Sequence, residues 1–307
     1  MSCFRDPLRT EDPIAERRYA YAQAAARDGD FSAAAEVLEQ AIEIDPLWAA
    51  AWFALGEARQ RLGAFPPARA AFAETLRLDP EDRQGAALRL AALDGRAVGA
   101  LPRAYVTRLF DDYAPRFSAH LIDDLFYRGP AVLFDAVQRL APGRRHRRAL
   151  DLGCGSGLAG VAFRGLVDEL TGVDLSPAMI EEARRTGAYD ALAEGDVVEF
   201  LHGQPGGRAD LILAADLFVY VGDISPLLNA AARALAPGGL LAFTVEAEPG
   251  DGFHLGETLR FRHSLGYVSR TLGEARLTAL TMETASARRE AGVAAPGLVV
   301  VAGSPPL

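Results

Sequence analysis

The chain of 307 residues contains no lysine; all 32 of its Lys-plus-Arg positions are arginine. That excludes Schiff-base chemistry and the lysine of a phosphate-binding P-loop. Cysteine is nearly as scarce. Cys3 and Cys154 lie far apart and form neither a disulfide framework nor a zinc-ligand spacing. The five histidines are scattered, with no HExxH and no helical pair, so no metal is expected. No apolar run reaches membrane-spanning length, and the opening MSCFRDPLRTEDP is too polar for a signal peptide. A cytoplasmic protein without a membrane partner is expected. An excess of positive charge is missing too. The net charge is −9 and the acidity is spread over both halves, so no DNA partner is expected. Half of the residues are apolar, enough for one large domain and a small one.

What is present begins with a repeat. Pro13–Pro46 and Leu47–Pro80 align without a gap. Each carries G-x-F at its middle, Gly29/Phe31 and Gly63/Phe65, and ends in EIDP or RLDP. Small Ala34 or Ala68 follows the turn, with Leu38 or Phe72 one helical turn later. The pattern predicts two amphipathic helices per copy, joined at a glycine and packed closely through small residues. The period of ~34 residues and the closing phrase resemble the tetratricopeptide repeat. The second copy matches better, through Trp52, Leu55, Gly56, Ala68, Phe72 and Pro80; the first has Arg18 in place of the large aromatic. Residues 81–94 read as a capping helix. The resemblance implies a protein or peptide partner. Two copies and a cap are few for a free-standing solenoid, so they are expected to lean on the next domain or on another subunit.

Gly95–Gly99, GRAVG, breaks the helical pattern, which sets the expected boundary near residue 100: helical repeats over 1–100 and a second domain over 101–307. Residues 105–147 open that domain as a helical stretch, with Leu109, Phe110, Tyr113, Phe117, Leu121 and Leu125 at helical spacing. Two readings stand: core packing on a sheet, or a lid that brings Tyr113 and Tyr127 over a ligand. Arg144–Arg148, RRHRR, reads as a solvated loop. From residue 148 strands and helices alternate. Strands are expected at 148–152, 169–173, 189–193, 209–215 and 239–245, the last behind the breaker Pro237-Gly238-Gly239. Helices are expected from Leu158, from Pro177 and over 226–235. Apart from Asp210, ADLILAA at 209–215 is apolar, as a strand buried on both faces should be. The last two strands, 277–285 and 297–303, are joined by a short polar connector with Gly292 and Pro296. It is too short for a parallel crossover, and an antiparallel pair follows. The fold class is α/β, a doubly wound, Rossmann-like parallel sheet behind an all-α segment.

The first strand runs into DLGCGSG, Asp151–Gly157. Glycines there bring backbone close to a ligand at the carboxyl ends of the strands. Gly155, Gly157 and Gly160 also spell G-x-G-x-x-G, with Asp174 about twenty residues on, which is the dinucleotide fingerprint of NAD-dependent oxidoreductases. Three features favour S-adenosylmethionine. Asp151, before the first glycine at the mouth of the site, suits a ligand with an ammonium and a sulfonium better than a pyrophosphate. In GVDLSPAMIEEAR, Asp174 can accept from both ribose hydroxyls, and Met179 and Ile180 follow where an apolar wall would flank adenine. After the third strand, Asp196 can accept from the adenine amino group, and the Val197 amide can donate to a ring nitrogen. These motifs, in this order, resemble the class I S-adenosylmethionine-dependent methyltransferases over residues 105–307. With the repeats, the chain resembles bacterial methyltransferases carrying an N-terminal tetratricopeptide segment, as do FDDYAPRFSAHL and LRFRHSLGYV. The resemblance implies strand order 3-2-1-4-5-7-6 with strand seven antiparallel. It implies that Asp151, Gly153, Cys154, Gly155 and Gly157 surround the methionine part of the cofactor. Asp174 and Leu175 would hold the ribose, and Met179, Asp196 and Val197 the adenine; Ala215, Tyr113 and Tyr127 complete the cofactor contacts.

The acceptor is expected at the end of strand four, AADLFVYVGD. This lacks the N/D-P-P-Y/F signature of amide and adenine methylation, and no cysteine is nearby for cytosine chemistry. Candidate acceptor-side groups are Asp216, Tyr220, Glu246, His254, His263 and Tyr267. His263 is the candidate general base, against a purely structural role; Tyr220 and Asp216 are the other catalytic candidates. The acceptor, a small molecule or a protein, stays open. So does a scaffold in which the repeats bind a partner and the cofactor fold is regulatory.

Overall fold

The computed structural model describes residues 5–123, 127–256, 258–286, 289–290, 293–294 and 296–305, with the backbone alone for 115–123, 289–290 and 293–294. Cys3, Leu125 and Gly292, and the side chains of Phe117 and Leu121, lie outside the described residues. The chain forms two compact units, Met1–Tyr105 and Val106–Leu307.

In the first unit α1 (Pro13–Arg27) pairs with α2 (Phe31–Ile44), and α3 (Ala49–Arg61) with α4 (Phe65–Leu78); α5 (Ala86–Leu93) follows. The two turns are built alike. Gly29 N donates to Ala26 O and Asp30 N to Ala25 O; in the second copy Gly63 N donates to Gln60 O and Ala64 N to Arg59 O. Both glycines have positive φ, +84° and +74°, which a side chain would strain. Between α3 and α4 the approach is closer still: a Cβ on Gly56 would lie 2.6 Å from the Phe72 ring. The first copy does contribute an aromatic ring, one residue past Arg18, where Tyr19 meets Trp48 at 4.7 Å.

The second unit contains α6 (Arg103–Asp123, which crosses the division), α7 (Gly129–Leu140), β1 (His146–Leu152), α8 (Leu158–Phe163), β2 (Val167–Asp174), α9 (Pro177–Arg185), β3 (Ala191–Glu194), α10 (Val197–Gly203), β4 (Ala209–Ala214) and α11 (Ser225–Ala234). Then come β5 (Leu235–Ala247), β6 (Phe253–Leu255), β7 (Phe261–His263), α12 (Leu265–Glu274), β8 (Thr278–Thr284), the two-residue strands β9 (Arg289–Glu290) and β10 (Val293–Ala294), and β11 (Gly297–Gly303). The main sheet runs β3-β2-β1-β4-β5-β11-β8. β11 is antiparallel to both β5 and β8, and the other neighbours in this path are parallel. This is the 3-2-1-4-5-7-6 order that the resemblance implies.

The central strands bury apolar residues on both faces, and these residues alternate between two cores. Leu150, Ile212, Ala214 and Val300 face one core with Leu227, Leu228, Val268 and Leu272 of α11 and α12. Ala149, Leu211, Leu213 and Val299 face the other with Leu133, Ala136 and Val137 of α7. The helical stretch at 105–147 therefore divides. α7 is a fixed layer of the sheet and no lid, because three of its residues lie in the core. Pro237-Gly238-Gly239 does not stop a strand either. β5 starts at Leu235 and absorbs the three residues as a register shift opposite Ala209 and Leu211, with Gly238 at φ +70°. The hairpin β6–β7 was not expected. β7 pairs with β5 at Glu246 and Ala247, beyond the point where β4 ends, so it takes the row that β4 vacates. Among the described residues no helix is long and apolar enough to cross a membrane.

Candidate functional site

The glycine loop, Asp174, Asp196 and Asp216 hang from the carboxyl ends of parallel strands or from the turns that follow them; α6, the segment ahead of β3 and the β6–β7 hairpin supply the rest. β1 ends in the glycine loop. Cys154 N donates to Val173 O, tying the loop to β2, and Gly155 N donates to Asp174 Oδ2 at 2.9 Å. The other Asp174 oxygen accepts from Ser176 N, also at 2.9 Å. Ser176 caps α9 and donates its hydroxyl to Asp111 of α6 at 2.5 Å. Burial raises the Asp174 pKa, the backbone amides of Ser176 and Gly155 oppose that, and the charge of Asp111 adds to it. A Cβ on Gly153 would meet Leu217 at 3.0 Å, so the loop also lies against the turn after β4.

Asp151 is buried, with 1 % of its surface exposed. It therefore lies beneath the loop and not at an open mouth. Its Oδ2 accepts from the Tyr189 hydroxyl at 2.6 Å, and its Oδ1 has no hydrogen-bond partner among the described residues. Burial pushes its pKa up to about 7, with the hydrogen bond from Tyr189 opposing and the charge of Asp174 adding. Three carboxylates, Asp111, Asp151 and Asp174, are thus electrostatically linked around one glycine loop.

The glycines that spell the dinucleotide pattern have another explanation. The Tyr189 ring lies against Gly157, Gly160 and Gly172. A Cβ on these would come within 3.1, 2.3 and 2.8 Å of it. Gly157 also has φ +91°. The bare backbone at 157 and 160 accommodates an aromatic ring of the protein itself, so the spacing needs no pyrophosphate.

The remaining cofactor candidates fall into three groups. Leu175 and Ala215 are half-buried at the ends of β2 and β4, and Tyr113 is half-buried on α6. Asp196 caps α10, its Oδ1 accepting from Val198 N and Glu199 N, which places Val197 at the first helical position. Met179 departs from expectation. It is fully buried on the inward face of α9, so its side chain presents no open wall to a ring. Cys154 is buried with Ile180 and Ala183, and burial raises its thiol pKa.

At the end of β4 the structure assembles a second cluster. Asp216 has positive φ, +60°, unusual for a side-chain-bearing residue, and its N–H donates to Thr244 Oγ1 at 2.9 Å. Arg260, just before β7, reaches back over it. Its Nη2 donates to both Asp216 oxygens at 2.8 and 2.9 Å, its Nη1 to the Tyr220 hydroxyl at 2.8 Å, and its Nε to Glu246 Oε1 at 2.7 Å. Burial works against the guanidinium charge, but Asp216, Tyr220 and Glu246 together raise its pKa. The Tyr220 ring meets Phe110 of α6 edge-on at 5.2 Å. Tyr127 connects the two clusters. Burial drives its phenol pKa well up, and it senses the charges of Asp216, Arg260 and Asp151.

Three acceptor-side candidates fall outside this cluster. His263 has no exposed surface. Its Nε2 lies 2.9 and 3.1 Å from the carbonyl oxygens of Val221 and Gly222, which makes that nitrogen the donor, and its ring stacks on Tyr267. Burial lowers its pKa. A ring enclosed in this way takes no proton from an acceptor, so the general-base expectation for His263 is corrected to a structural role. Tyr267 is structural too: its hydroxyl accepts from Ile224 N and donates to Asp223. His254 is exposed on β6. The sequence reading missed Arg260, Tyr189 and Asp111. For Tyr189 a signal existed in the glycines of α8 and β2; for Arg260 there was none without the hairpin.

Residues 125–275 match the family described as a methyltransferase domain, and residues 15–58 match the tetratricopeptide repeat. A malonyl-[acyl-carrier protein] O-methyltransferase of Enterobacter lignolyticus is 32% identical over 46% of this chain and 53% of its own length. A trans-aconitate 2-methyltransferase of Rhizobium leguminosarum is 33% identical over 37% of this chain and 44% of its own. The chain thus spans about half the length of the relatives it matches. Among solved structures, the 1,6-didemethyltoxoflavin-N1-methyltransferase of Burkholderia thailandensis, with bound 1,6-didemethyltoxoflavin and S-adenosylhomocysteine, superposes with a TM-score of 0.53. It is 20% identical and covers 68% of this chain and 92% of its own, a likeness of fold.

Proposed function

We propose that this chain, a member of the S-adenosylmethionine-dependent methyltransferase family with a tetratricopeptide repeat ahead of the catalytic fold, methylates an acceptor seated at the end of β4. The observation that carries the reading is the set of carboxylates around the glycine loop: Asp174 bonded to Gly155 N, with Asp151 and Asp111 beside it. Buried carboxylates attract a ligand bearing an ammonium and a sulfonium and repel a pyrophosphate. The fit is supported by the unpartnered Oδ1 of buried Asp151 and by the close approach at Gly153.

When bound, S-adenosylmethionine supplies an electrophilic methyl group that the acceptor displaces directly. The residues of the chain bind and align. Asp151 with the backbone of Gly153–Gly157 holds the methionine part, Asp174 and Leu175 the ribose, and Asp196 and Val197 the adenine edge. Ala215, Tyr113 and Tyr127 close the wall. At the acceptor end, Arg260 donates to the Tyr220 hydroxyl and holds it beside Asp216. Asp216, held by the same guanidinium, accepts the acceptor proton. Proximity and orientation account for most of the rate. An O–H or N–H acceptor fits this arrangement better than a carboxylate, because the guanidinium is already matched by two anions. The repeats offer a surface to a protein or peptide partner.

Calorimetric titration of the full chain with S-adenosylmethionine, S-adenosylhomocysteine and NAD tests the reading. Micromolar binding of the first two and none of NAD is expected, with a loss of at least tenfold in Asp174→Ala. Binding of NAD alone, or unchanged affinity in Asp174→Ala, would overturn it.

A further inference from the structure

Tyr189 has no role in the function proposed above, yet the protein keeps three glycines bare to seat it. Its ring fills a slot made by Gly157, Gly160 and Gly172, on the loop, α8 and β2. Its hydroxyl donates to Asp151 Oδ2 at 2.6 Å and accepts from Gly160 N at 3.2 Å. Both valences of the phenol are therefore committed. Burial and the Asp151 charge raise the Tyr189 pKa, so it remains a donor and never an anion. A carboxylate gripped at one oxygen is held from rotating, and its other oxygen, Oδ1, is buried without a hydrogen-bond partner among the described residues.

We propose that Tyr189 is a positioning residue of the cofactor site: by holding Asp151 at Oδ2 it aims Oδ1 at the cationic end of the donor. The inference rests on the function proposed above. The groups that face Asp151 are Asp174 from β2, Cys154 from the loop, Tyr189 ahead of β3, Tyr127 after α6 and the amide of Gly160. Of these, Asp174 favours the protonated acid and the Tyr189 hydroxyl opposes it. With the pKa of Asp151 pushed to about 7, the bound state requires a proton to leave. Affinity should therefore rise roughly tenfold between pH 5.5 and 7, below the range in which the α-amino group of the donor itself titrates.

The test is calorimetric titration of the full chain with S-adenosylmethionine from pH 5.5 to 8, for the wild type, Tyr189→Phe, Asp151→Asn and the double variant, each checked by thermal melt. Phenylalanine keeps the ring in its slot. Tyr189→Phe is expected to bind roughly five- to tenfold more weakly at pH 7 and to need a higher pH to reach half of its maximal affinity. Asp151→Asn should bind weakly with no such pH dependence. Adding Tyr189→Phe to Asp151→Asn should cost nothing further, since the tyrosine acts through the carboxylate. The inference is overturned if Tyr189→Phe keeps the wild-type affinity and pH midpoint, or if its loss simply adds in the double variant. A wild-type chain that binds no S-adenosylmethionine would instead bring down the proposed function.

Discussion

Arg260 lies just before β7 and His263 ends it, yet only Arg260 reaches the carboxylates at the end of β4. The difference lies in which face of the hairpin each occupies, and it separates two kinds of substitution. Arg260→Met leaves Asp216 without the guanidinium that pairs both its oxygens and leaves largely buried Glu246 with only the longer contact to Arg262. A cost of about 3–5 kcal/mol is expected, a fall of roughly 10 °C in thermal midpoint, with S-adenosylmethionine still bound. His263→Gln should cost about 1–3 kcal/mol by freeing the carbonyls of Val221 and Gly222. It should leave the pH profile of methyl transfer unchanged; loss of a limb of that profile would restore the general base. Asp151 gives a third residue-level prediction. Its folded pKa, about 7, lies above its ordinary value, so the native state holds the extra proton and stability falls as pH rises toward 8. Asp151→Asn should therefore melt a few degrees higher than the wild type at pH 8, with the gap closing as pH falls toward about 4, while cofactor affinity is weakened. The residue types at the site were legible in the sequence, but which of them meet was not. Asp216 and Arg260 are 44 positions apart and join only through an unpredicted hairpin.

At the scale of elements, the sheet was legible and the glycines were ambiguous. The order of the strands is what the resemblance implies; the short connector before β11 independently requires an antiparallel last pair, because it cannot cross over. Glycine spacing says only that something approaches the backbone. The neighbour at Gly160 is Tyr189, 29 residues on, and local pattern does not reveal it. Gly160→Ala should cost about 1–3 kcal/mol by overpacking against that ring. Tyr189→Leu in the same chain should recover part of the melting temperature, as differential scanning calorimetry would show. A glycine reserved for a pyrophosphate would gain nothing from that second change. For α7 the lid reading failed for a related reason. The apolar spacing of α7 is the same whether a helix covers a ligand or a sheet, and Leu133, Ala136 and Val137 show that it covers the sheet.

On the scale of the whole molecule, the groups proposed to handle cofactor and acceptor all fall within the second compact unit, from Phe110 to Arg260. The first unit reaches Tyr105, and between α5 and α6 residues 94–99 form neither helix nor strand. Arg96 lies in this segment with 66 % of its side chain exposed, its guanidinium bridged to Asp94. A protease that cuts after arginine needs several residues in extended form. Most other arginines of the repeats sit within helices that would first have to unwind, so brief trypsin digestion should cut at Arg96 early. The fragment starting at residue 97 keeps α6 and every proposed contact. Its affinity for S-adenosylmethionine, measured by calorimetry after purification, should match that of the intact chain within twofold. Equal affinity would assign cofactor binding to the second unit alone and leave the repeats free to select a partner. A fall of tenfold or more would mean that the repeats shape the cofactor site, and the division of labour argued from the two units would be wrong.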